Sequence, residues 1–534
     1  MHLSDFDLKQ IDTEKLAKLT PEQLLHLSSC MLHDLKEARD RLNQTSDNSS
    51  IPPSSRDPWS VRTTEIDPEL ENLSESLDTL SERDTEEDPQ VASSLVDKPD
   101  TANSNTKPSP YKPQNRKAGK QTGAPGYGRT QKFAIEQIET HIPERCCVCD
   151  ATLCKDVNSI CYSGWNFLDL APRKDNELCL RLMSIRHQLY QTQCACGHVN
   201  RAVPHRAAVD PLWDKVDLSE WRLIGPDLAA VIVFLALRMR LSRARIQEWF
   251  NELFGLHLSI GVLDETIREA GRAAAGLEDA LVNEIISSPL VYADETPWRE
   301  RSQLLWLWVF VTTYTVVYFI GHRTAEILSN VLTTAFSGQV MSDGYFAYRH
   351  LGRRLRCWAH LLRKLRGLAE SCDTRVANAG KAMLIRLRRL MDGIYQQRVL
   401  PENENIMIDW DAEMASLRKL CGSYQNDTHD KLRAVAREFL NDWDVIFRQV
   451  HDPHLPLTNN IAEQALRHWV IFRRTSQGTR SETGSRSIAM LASVMDTCRR
   501  RGASGWRYMG SVIRAARKGL PLPALPNIPI SAGV

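Results

Sequence analysis

Residues 290–321 read LVYADETPWRERSQLLWLWVFVTTYTVVYFIG, and this stretch decides the fold of the second half of the chain. It contains three apolar runs rich in β-branched and aromatic residues, LVYADET, LLWLWVFVTT and TVVYFIG, which predict three consecutive strands. A helical stretch, RTAEILSNVLTTAF, leads into a fourth strand in GQVMSDGY, and LRCWAHL follows as a candidate fifth strand. The segment therefore predicts a mixed α/β domain.

Three meandering strands, a helix, a strand, a helix and a strand are the element order of an RNase H-like fold. The first and fourth strands are neighbours in that topology, so Asp294 and Asp343, each predicted at the end of its strand, should converge. Phosphodiester chemistry with two metal ions needs a third acid. The candidate is Glu463, in the predicted helix of LTNNIAEQALRHWV. The alternatives are that Asp294 merely ends a strand, that Asp343 belongs to an ordinary turn, and that Glu463 forms a surface ion pair with Arg467.

Eight of the 13 cysteines lie between Cys146 and Cys196. Cys146 and Cys149 form a C-x2-C knuckle, and Cys194 and Cys196 form a tighter C-x-C pair. Two such knuckles supply the four thiolates of a closed structural zinc site, so residues 131–205 are predicted to form a zinc-ribbon DNA-binding domain. Alternate ligands are Cys147, Cys154 and His198, and the competing interpretation is a set of reduced cysteines without metal.

Residues 20–43 predict one helix, because Thr20 can cap it and Pro21 suits its first position. Its apolar residues recur with a spacing of three and four, at Leu24, Met31, Leu35, Ala38 and Leu42. This pattern favours a self-association helix, a short coiled coil within residues 1–45, over a helix packed on its own chain. Residues 46–130 are predicted to be a disordered linker, first acidic and then basic.

Residues 218–277 predict helices, with Ser242 capping one and Ser259 starting the next after a turn at Gly255. Helix, tight turn and helix are the outline of a helix-turn-helix, although helix packing alone also produces it. Arg243 and Arg245 lie in the first of these helices and favour DNA as the partner of a domain at 206–285. Further candidates for DNA contact lie in later basic stretches: Arg363, Lys364, Asn460, Arg467, Arg473 and Arg474.

The net charge of +1 conceals an asymmetry along the chain. Residues 65–100 carry 13 Asp and Glu against Arg83 and Lys98, which leaves the remainder with a charge of +12. A basic body suggests a polyanionic partner, while the acidic segment either modulates that binding or is a solubilising linker. The longest apolar stretch, 228–237, is about half the roughly 20 residues that a membrane helix needs. With no signal-peptide pattern in MHLSDFDLKQ, we expect a cytoplasmic, nucleoid-associated protein without a membrane partner.

Four motifs in order, YADETPW, SDGYFAY, CWAHLLRKL and TNNIAEQALR, resemble the DDE transposases of the insertion sequence 66 family. The stretches QTGAPGYGR and SQGTRSETGSR and the position of the cysteine module are similar to that family as well. The resemblance implies that Asp294, Asp343 and Glu463 are the catalytic triad and hold Mg2+ (or Mn2+). It also implies a C-x2-H element at Cys357 and His360, which is either a packed, supporting pair or a direct participant in catalysis.

The resemblance implies a multidomain α+β protein, with an N-terminal helix, a zinc ribbon, a helix-turn-helix-like domain and an RNase H-like core. That core is predicted at 286–515 with a helical insertion at 361–455, followed by a C-terminal tail at 516–534. The implied function is a transposase that binds its element's ends, cleaves DNA and joins the 3′ ends to target DNA. Its expected partners are double-stranded DNA, other copies of the chain and element-encoded helper proteins. The rival functions are a DNA-binding regulator and a structure-selective nuclease on the same fold.

Overall fold

The computed structural model describes residues 18–44, 133–153, 159–172, 180–213, 216–333, 335–401 and 408–529, together with residues 11, 16, 48 and 131. The predicted linker at 46–130, residue 48 apart, lies outside the described residues. Cys154 and the end of the predicted tail, 530–534, lie outside them too. Within the described ranges, no helix is both long and apolar enough to cross a membrane.

The N-terminal helix is present as α1, Pro21–Leu42, and its start is fixed by the residues that predicted it. Thr20 and Gln23 form a reciprocal capping box, and Pro21 occupies the first turn. Its buried residues are acidic, Asp34 and Glu37, while Leu35 is 66% exposed. The helix therefore turns a polar face to its own chain and leaves leucines in solvent.

A four-stranded sheet carries the cysteine module. Its strands are β1, Gln137–His141; β2, Ser159–Leu170; β3, Leu182–Gln193; and β4, Val199–Arg201. Strands β2 and β3 form a long antiparallel hairpin between the two cysteine knuckles, β1 lies parallel to β3, and β4 pairs with the far end of β3. The hairpin accounts for the long interval between the knuckles.

Helices follow at α2, Pro226–Leu237; α3, Arg243–Phe254; α4, Ile260–Ala275; and α5, Glu278–Ile286. The residues predicted to begin and end α3 and α4 do so. Ser242 and Ser259 accept hydrogen bonds from the first turns of α3 and α4, and Gly255 ends α3 with a φ of 59°. Helix α2 is buried along most of its length, which explains why its sequence is almost wholly apolar.

Asp169 joins the cysteine-bearing sheet to α2. Its Oδ1 accepts hydrogen bonds from the backbone nitrogens of Leu170, at 2.9 Å, and Leu228, at 2.7 Å. Burial is the main reason why the pKa of this carboxyl rises to about 6, and the neighbouring charge of Asp227 adds to the effect. The ionised carboxylate is therefore a local source of instability at neutral pH.

We expect Asp169→Asn to stabilise the protein at pH 8 by up to about 3 kcal/mol, the free energy that corresponds to a pKa raised by about two units. Because the folded pKa lies above the unfolded one, this destabilisation is present above pH about 6 and disappears as the pH falls towards 4. The asparagine Oδ1 keeps both backbone hydrogen bonds. Thermal midpoints of both proteins between pH 4 and 8 test this, and a gap independent of pH would contradict it.

The second sheet has the order β7-β6-β5-β8-β9. Its strands are β5, Leu290–Glu300; β6, Gln303–Val311; β7, Val316–Gly321; β8, Gln339–Ser342; and β9, Arg354–Arg356, with helix α6, Ala325–Val331, before β8. The first and fourth strands are adjacent and parallel, as predicted. Three central positions, Trp308, Val309 and Phe310, are fully buried, which matches the unbroken apolar run in β6.

Two local predictions in this segment were wrong, and a third was right only in part. Asp294 does not end its strand, because β5 continues beside β6 as far as Glu300. The predicted fifth strand exists as β9, but it includes only the first two residues of LRCWAHL, and a helix begins at Trp358. A short 3-10 turn, Phe346–His350, stands where a helix was expected between the fourth and fifth strands.

The helical insertion has its own apolar core. Its helices are α7, Trp358–Ala369; α8, Thr374–Val399; α9, Trp410–Tyr424; α10, Asp430–Asn441; α11, Trp443–Ile446; and α12, Arg448–His451. Buried ion pairs join this core to the sheet, since Arg356 and Arg354 of β9 both contact Asp442. Helix α1 lies against the same insertion, where Asp40 accepts a hydrogen bond of 2.8 Å from the backbone of Cys372.

Three helices complete the fold: α13, Asn460–Ser476; α14, Glu482–Arg500; and α15, Gly505–Arg517. Helix α14 packs on β7 and α4, and α15 packs on α2. The buried pair between Arg517 and Glu269, at 2.8 Å, joins α15 to α4. The four helices between residues 226 and 286 thus share one continuous apolar core with the second sheet.

Candidate functional site

Two of the predicted acids lie near each other, one on β5 and one just after the adjacent parallel strand β8. Leu290 pairs with Gln339, and Tyr292 pairs with Met341 at the end of the β5–β8 ladder. Continuing that register brings Asp294 opposite Asp343, which directly follows β8. Strand alternation gives the two side chains the same face of the sheet.

The third predicted acid, Glu463, lies in the first turn of α13, and Asn459 joins this turn to β5. The Asn459 side chain is fully buried and donates a hydrogen bond of 2.9 Å to the carbonyl oxygen of Ala293, the residue before Asp294. Its backbone nitrogen donates to the Cys357 sulfur at 3.2 Å. Glu463 is therefore held at a fixed distance from the strand that carries Asp294.

Negative charge is concentrated at this point. Burial raises the pKa of Asp294 well above its usual range, and the charges of Glu295, Asp343 and Glu463 raise it further. Clustered carboxylates repel one another unless protons or cations neutralise them. Carboxylate oxygens are the ligands that hard divalent ions such as Mg2+ prefer, so the donor type of these side chains suits such ions. Among the described residues, the three acids do not form a group whose ligand atoms all lie within 4.8 Å of one another.

Cys357 and His360 lie beside Glu463. Burial, with the charge of Glu463, raises the pKa of the Cys357 thiol to about 11, so it stays protonated. Burial and the nearby cations, Arg363 foremost, lower the pKa of His360 to about 3. His360 is consequently neutral, and the 3.8 Å approach of its Nε2 to Glu463 Oε1 is no ion pair at neutral pH. One atom from each of Cys357, His360 and Glu463 comes close enough to share an ion, so the supporting role and the direct role of this pair both stay predictions.

Glu295 is a fourth acid, which the sequence analysis did not single out. Its side chain is 1% exposed and pairs with Arg323 at 2.7 Å, and it accepts a hydrogen bond of 2.8 Å from the Tyr348 hydroxyl. Burial and the charge of Asp343 raise its pKa to about 7 against the opposing effect of Arg323. The sequence did contain a signal for Glu295, because an acidic side chain within a largely apolar predicted strand is unusual.

Arg323 stands at the centre of this group. Its guanidinium lies 4.1 Å from the ring centre of Trp306 and 3.8 Å from that of Tyr345. The backbone nitrogen of Tyr345 in turn donates a hydrogen bond of 2.8 Å to Asp343. Arg323 thereby connects Glu295, the neighbour of Asp294, to the loop that fixes Asp343.

We expect Arg323→Met to destabilise the protein by about 3 kcal/mol, because it leaves the buried Glu295 carboxylate without its cation. Adding Glu295→Gln should recover most of this loss, since the amide carries no charge and still accepts the Tyr348 hydrogen bond. The matched control is Arg299→Met, at an exposed position of β5, the strand that carries Glu295. It should change the free energy of unfolding by less than about 0.5 kcal/mol. Denaturant unfolding measures all three, and equal losses in the single and double variants would contradict the pairing.

The predicted DNA-contacting residues divide into two groups. Lys364 binds both carboxylate oxygens of Glu438 at 2.8 Å, and Arg473 donates to Thr296 at 3.0 Å. Arg363 lies 3.3 Å from Glu463, and Arg243 lies 3.5 Å from Asp264. The remaining four are exposed: Arg245, Asn460, Arg467 and Arg474.

The four predicted zinc ligands converge. One sulfur from each of Cys146, Cys149, Cys194 and Cys196 lies within 4.8 Å of all the others. The Cys146–Cys196 and Cys149–Cys194 sulfur distances are 3.7 and 3.5 Å, close to the about 3.8 Å between thiolates bound to one tetrahedral zinc with bonds of about 2.3 Å. The backbone nitrogens of Cys149 and Val148 lower the pKa of Cys146 to about 6. Against the effect of the Ala151 backbone, hydrogen bonds with the neighbouring cysteines raise the pKa of Cys149 to about 12, as expected for thiols that share protons when no ion is bound. The alternates Cys147 and His198 contact each other instead, at 3.2 Å.

Comparison with known proteins gives the context of these residues. A family model described as "Transposase IS66 family" matches residues 222–487, a range that includes the three predicted acids. The chain is also 24% identical to the uncharacterized protein y4qI of Sinorhizobium fredii over 448 residues, 76% of this chain and 78% of that protein. It is 22% identical to the uncharacterized protein y4jD of the same organism, over 44% of this chain and 52% of that protein.

Proposed function

Because this chain belongs to the IS66 transposase family through residues 222–487, we propose that it binds its element's ends, cleaves DNA there and transfers the 3′ ends to target DNA. The observation that supports this most is the register of β5 and β8, which brings Asp294 opposite Asp343. An RNase H-like assignment of the second sheet rests on its strand order. Glu463 is the third member of the proposed triad.

In this proposal, Asp294, Asp343 and Glu463 hold Mg2+ or Mn2+. Such ions, when bound, activate an attacking oxygen and stabilise the departing one at a phosphodiester. The chain's own residues set the geometry. Asn459 fixes the Glu463 helix to β5, the Tyr345 backbone orients Asp343, and Arg363 lies where a phosphate oxygen beside Glu463 would meet a cation.

Asn459→Ala should lower cleavage by about 10- to 100-fold, the usual cost of removing a group that orients a metal ligand. More Mg2+ should restore part of the loss, because the glutamate is displaced rather than removed. Asn460→Ala is the control at the adjacent exposed position. It should leave the Mg2+ dependence unchanged, and any effect should fall on DNA affinity. A Mg2+ titration of cleavage for both variants tests this, and superimposable curves would contradict the role of Asn459.

We further propose that Cys146, Cys149, Cys194 and Cys196 hold a structural Zn2+ in a zinc ribbon. The ribbon and the α3–α4 pair would recognise the element's ends, with exposed Arg245 on α3 as one contact. Arg467 and Arg474 lie on the exposed side of α13, one turn and three turns beyond Glu463. They are placed to hold phosphates leading into the acids.

The exposed face of helix α1 supports the proposal that this chain forms a homo-oligomer. Its exposed leucines fall at the first and fourth positions of a heptad, at Leu25, Leu32, Leu35 and Leu42. Its opposite, acidic face already packs on the insertion, so the leucine stripe is available to the same stripe of another copy. Element-encoded helper proteins are proposed as partners only because the family resemblance implies them.

The deciding experiment combines purified full-length protein, DNA carrying the element's ends and a supercoiled target, with Mg2+ or with EDTA. Metal-dependent cutting at the ends followed by joining to the target would establish the transposase. Tight binding to the ends without cutting in Mg2+ would identify the rival regulator. Cutting without end preference and without joining would identify the rival nuclease.

A further inference from the structure

A second group of potential ligands lies on the first sheet, away from the four cysteines. Glu139 and His141 are two residues apart on β1 and therefore share a face. His187 of β3 is the direct register partner of Glu139. His141 Nε2 lies 2.9 Å from His187 Nδ1, which lies 3.4 Å from a Glu139 carboxylate oxygen.

The surroundings of these side chains are rigid on one side and open on the other. Trp165 of β2 stacks on His187 with ring centres 4.4 Å apart, and Trp221 stacks on Trp165 at 5.7 Å. The His187 side chain is 10% exposed, whereas that of Glu139 is 43% exposed. An ion could therefore reach the group from solvent and meet an imidazole already held in position.

The geometry points to a second transition-metal site, in which Glu139, His141 and His187 bind Zn2+ through two imidazole nitrogens and one carboxylate oxygen. These are ordinary zinc ligands. Two nitrogens on one zinc, each about 2.0–2.1 Å from it, lie about 2.8–3.4 Å apart for bond angles between a right angle and a tetrahedral one. The observed nitrogen separation of 2.9 Å lies at the right-angle end of that range.

A metal ion at this site would hold β1 against β3. This strand has five residues and pairs only with β3 among the described strands. In the sequence, it follows the basic part of the linker predicted at 46–130. An ion bridging Glu139 and His141 to His187 would anchor the point where that segment joins the sheet, and its fourth position would stay open to water or to an outside ligand.

Zinc content of the purified full-length protein tests the site directly. After equilibration with Zn2+ and removal of the excess, we expect two ions per chain in the parent protein and one in His141→Ala. Thr140→Ala, on the same strand but the opposite, exposed face, is the matched control and should retain two. Equal zinc contents in the parent protein and in His141→Ala would overturn the assignment.

Cobalt substitution separates this site from the cysteines. Thiolate ligands give Co2+ intense charge-transfer absorption, whereas imidazole and carboxylate ligands do not. Glu139→Gln, a nearly isosteric change at a half-exposed position, should remove the second Co2+ and leave the thiolate band intact. Loss of the thiolate band together with the second ion, or retention of both ions, would refute the site. If the cysteines held no metal, the parent would bind one Co2+ without a thiolate band, so failure of the two assignments is distinguishable.

Discussion

Replacing Asp343 with asparagine is expected to lower DNA cleavage and joining by on the order of 10³-fold or more. Stabilisation of the transition state by bound metal amounts to several kcal/mol, and each 1.4 kcal/mol corresponds to about tenfold in rate. Asparagine keeps the size of the side chain and its acceptor for the Tyr345 backbone hydrogen bond, at 2.8 Å in the parent. It loses the charge that a divalent ion needs.

Three measurements make this prediction specific. Cleavage of end-bearing DNA in Mg2+ should disappear, affinity for the same DNA in EDTA should stay within about twofold, and the thermal midpoint should not fall. Asp411→Asn, at an exposed position of α9, is the matched control and should cleave like the parent. Cleavage by Asp343→Asn at more than a tenth of the parent rate would exclude this aspartate from the metal site.

Removing zinc from the four cysteines, by Cys149→Ser or by a chelator, is expected to weaken end-specific binding by about 10³-fold. This is the lower limit of the usual ratio between specific and non-specific DNA affinity. Closed four-cysteine sites supply much of the folding free energy of small modules, so the knuckles should separate when the ion leaves. Non-specific binding should persist, because the arginines of α3 and α13 lie outside the module.

Cys161→Ser provides the control, since this exposed cysteine lies on β2 outside the group of four. It should bind the element's ends like the parent protein. Competition binding of end-bearing and random DNA at several salt concentrations separates the two kinds of affinity. Unchanged end preference after verified loss of zinc would place recognition outside the module, with the α3–α4 pair as the next candidate.

Much of this fold could be predicted because local signals and tertiary structure agree. Ser242, Ser259 and Gly255 mark helix ends by side-chain and backbone chemistry that acts within one turn. The adjacency of β5 and β8 followed from element order, since few topologies accommodate that order. The length of β5 was underestimated because its continuation, TPWRE, contains proline and charges. Only the hairpin with β6 makes that stretch a strand.

Residues of the candidate site could be predicted where the residue type and its spacing indicate the role. They could not be predicted where the role depends on a partner that is distant in the sequence. Cys146, Cys149, Cys194 and Cys196 could be paired from spacing, and their sulfurs do converge. Lys364, in contrast, was assigned to DNA from local basic composition. Its carboxylate partner, Glu438, is distant in sequence and comes close only through α7–α10 packing. Arg323 carried no local signal, because its role depends on meeting Glu295 across the sheet.

The unbroken apolar core from α2 through the second sheet has a consequence for building chimaeras between related proteins. In an exchange made just before β5, where the sequence changes from helix to strand, the two halves of one core would come from different parents, and so would Arg517 and Glu269. An exchange between residues 202 and 216 keeps most of that core within one parent, apart from Leu168 and the partly buried Phe133 and Leu182. It divides the contacts of β2 with α2 and the stacking of Trp165 on Trp221. Exchanges of the cysteine-bearing sheet should therefore be joined there, with Asp169 and Gly225 retained as a matched pair, because a β-carbon at Gly225 would lie 2.3 Å from the Asp169 carboxyl carbon.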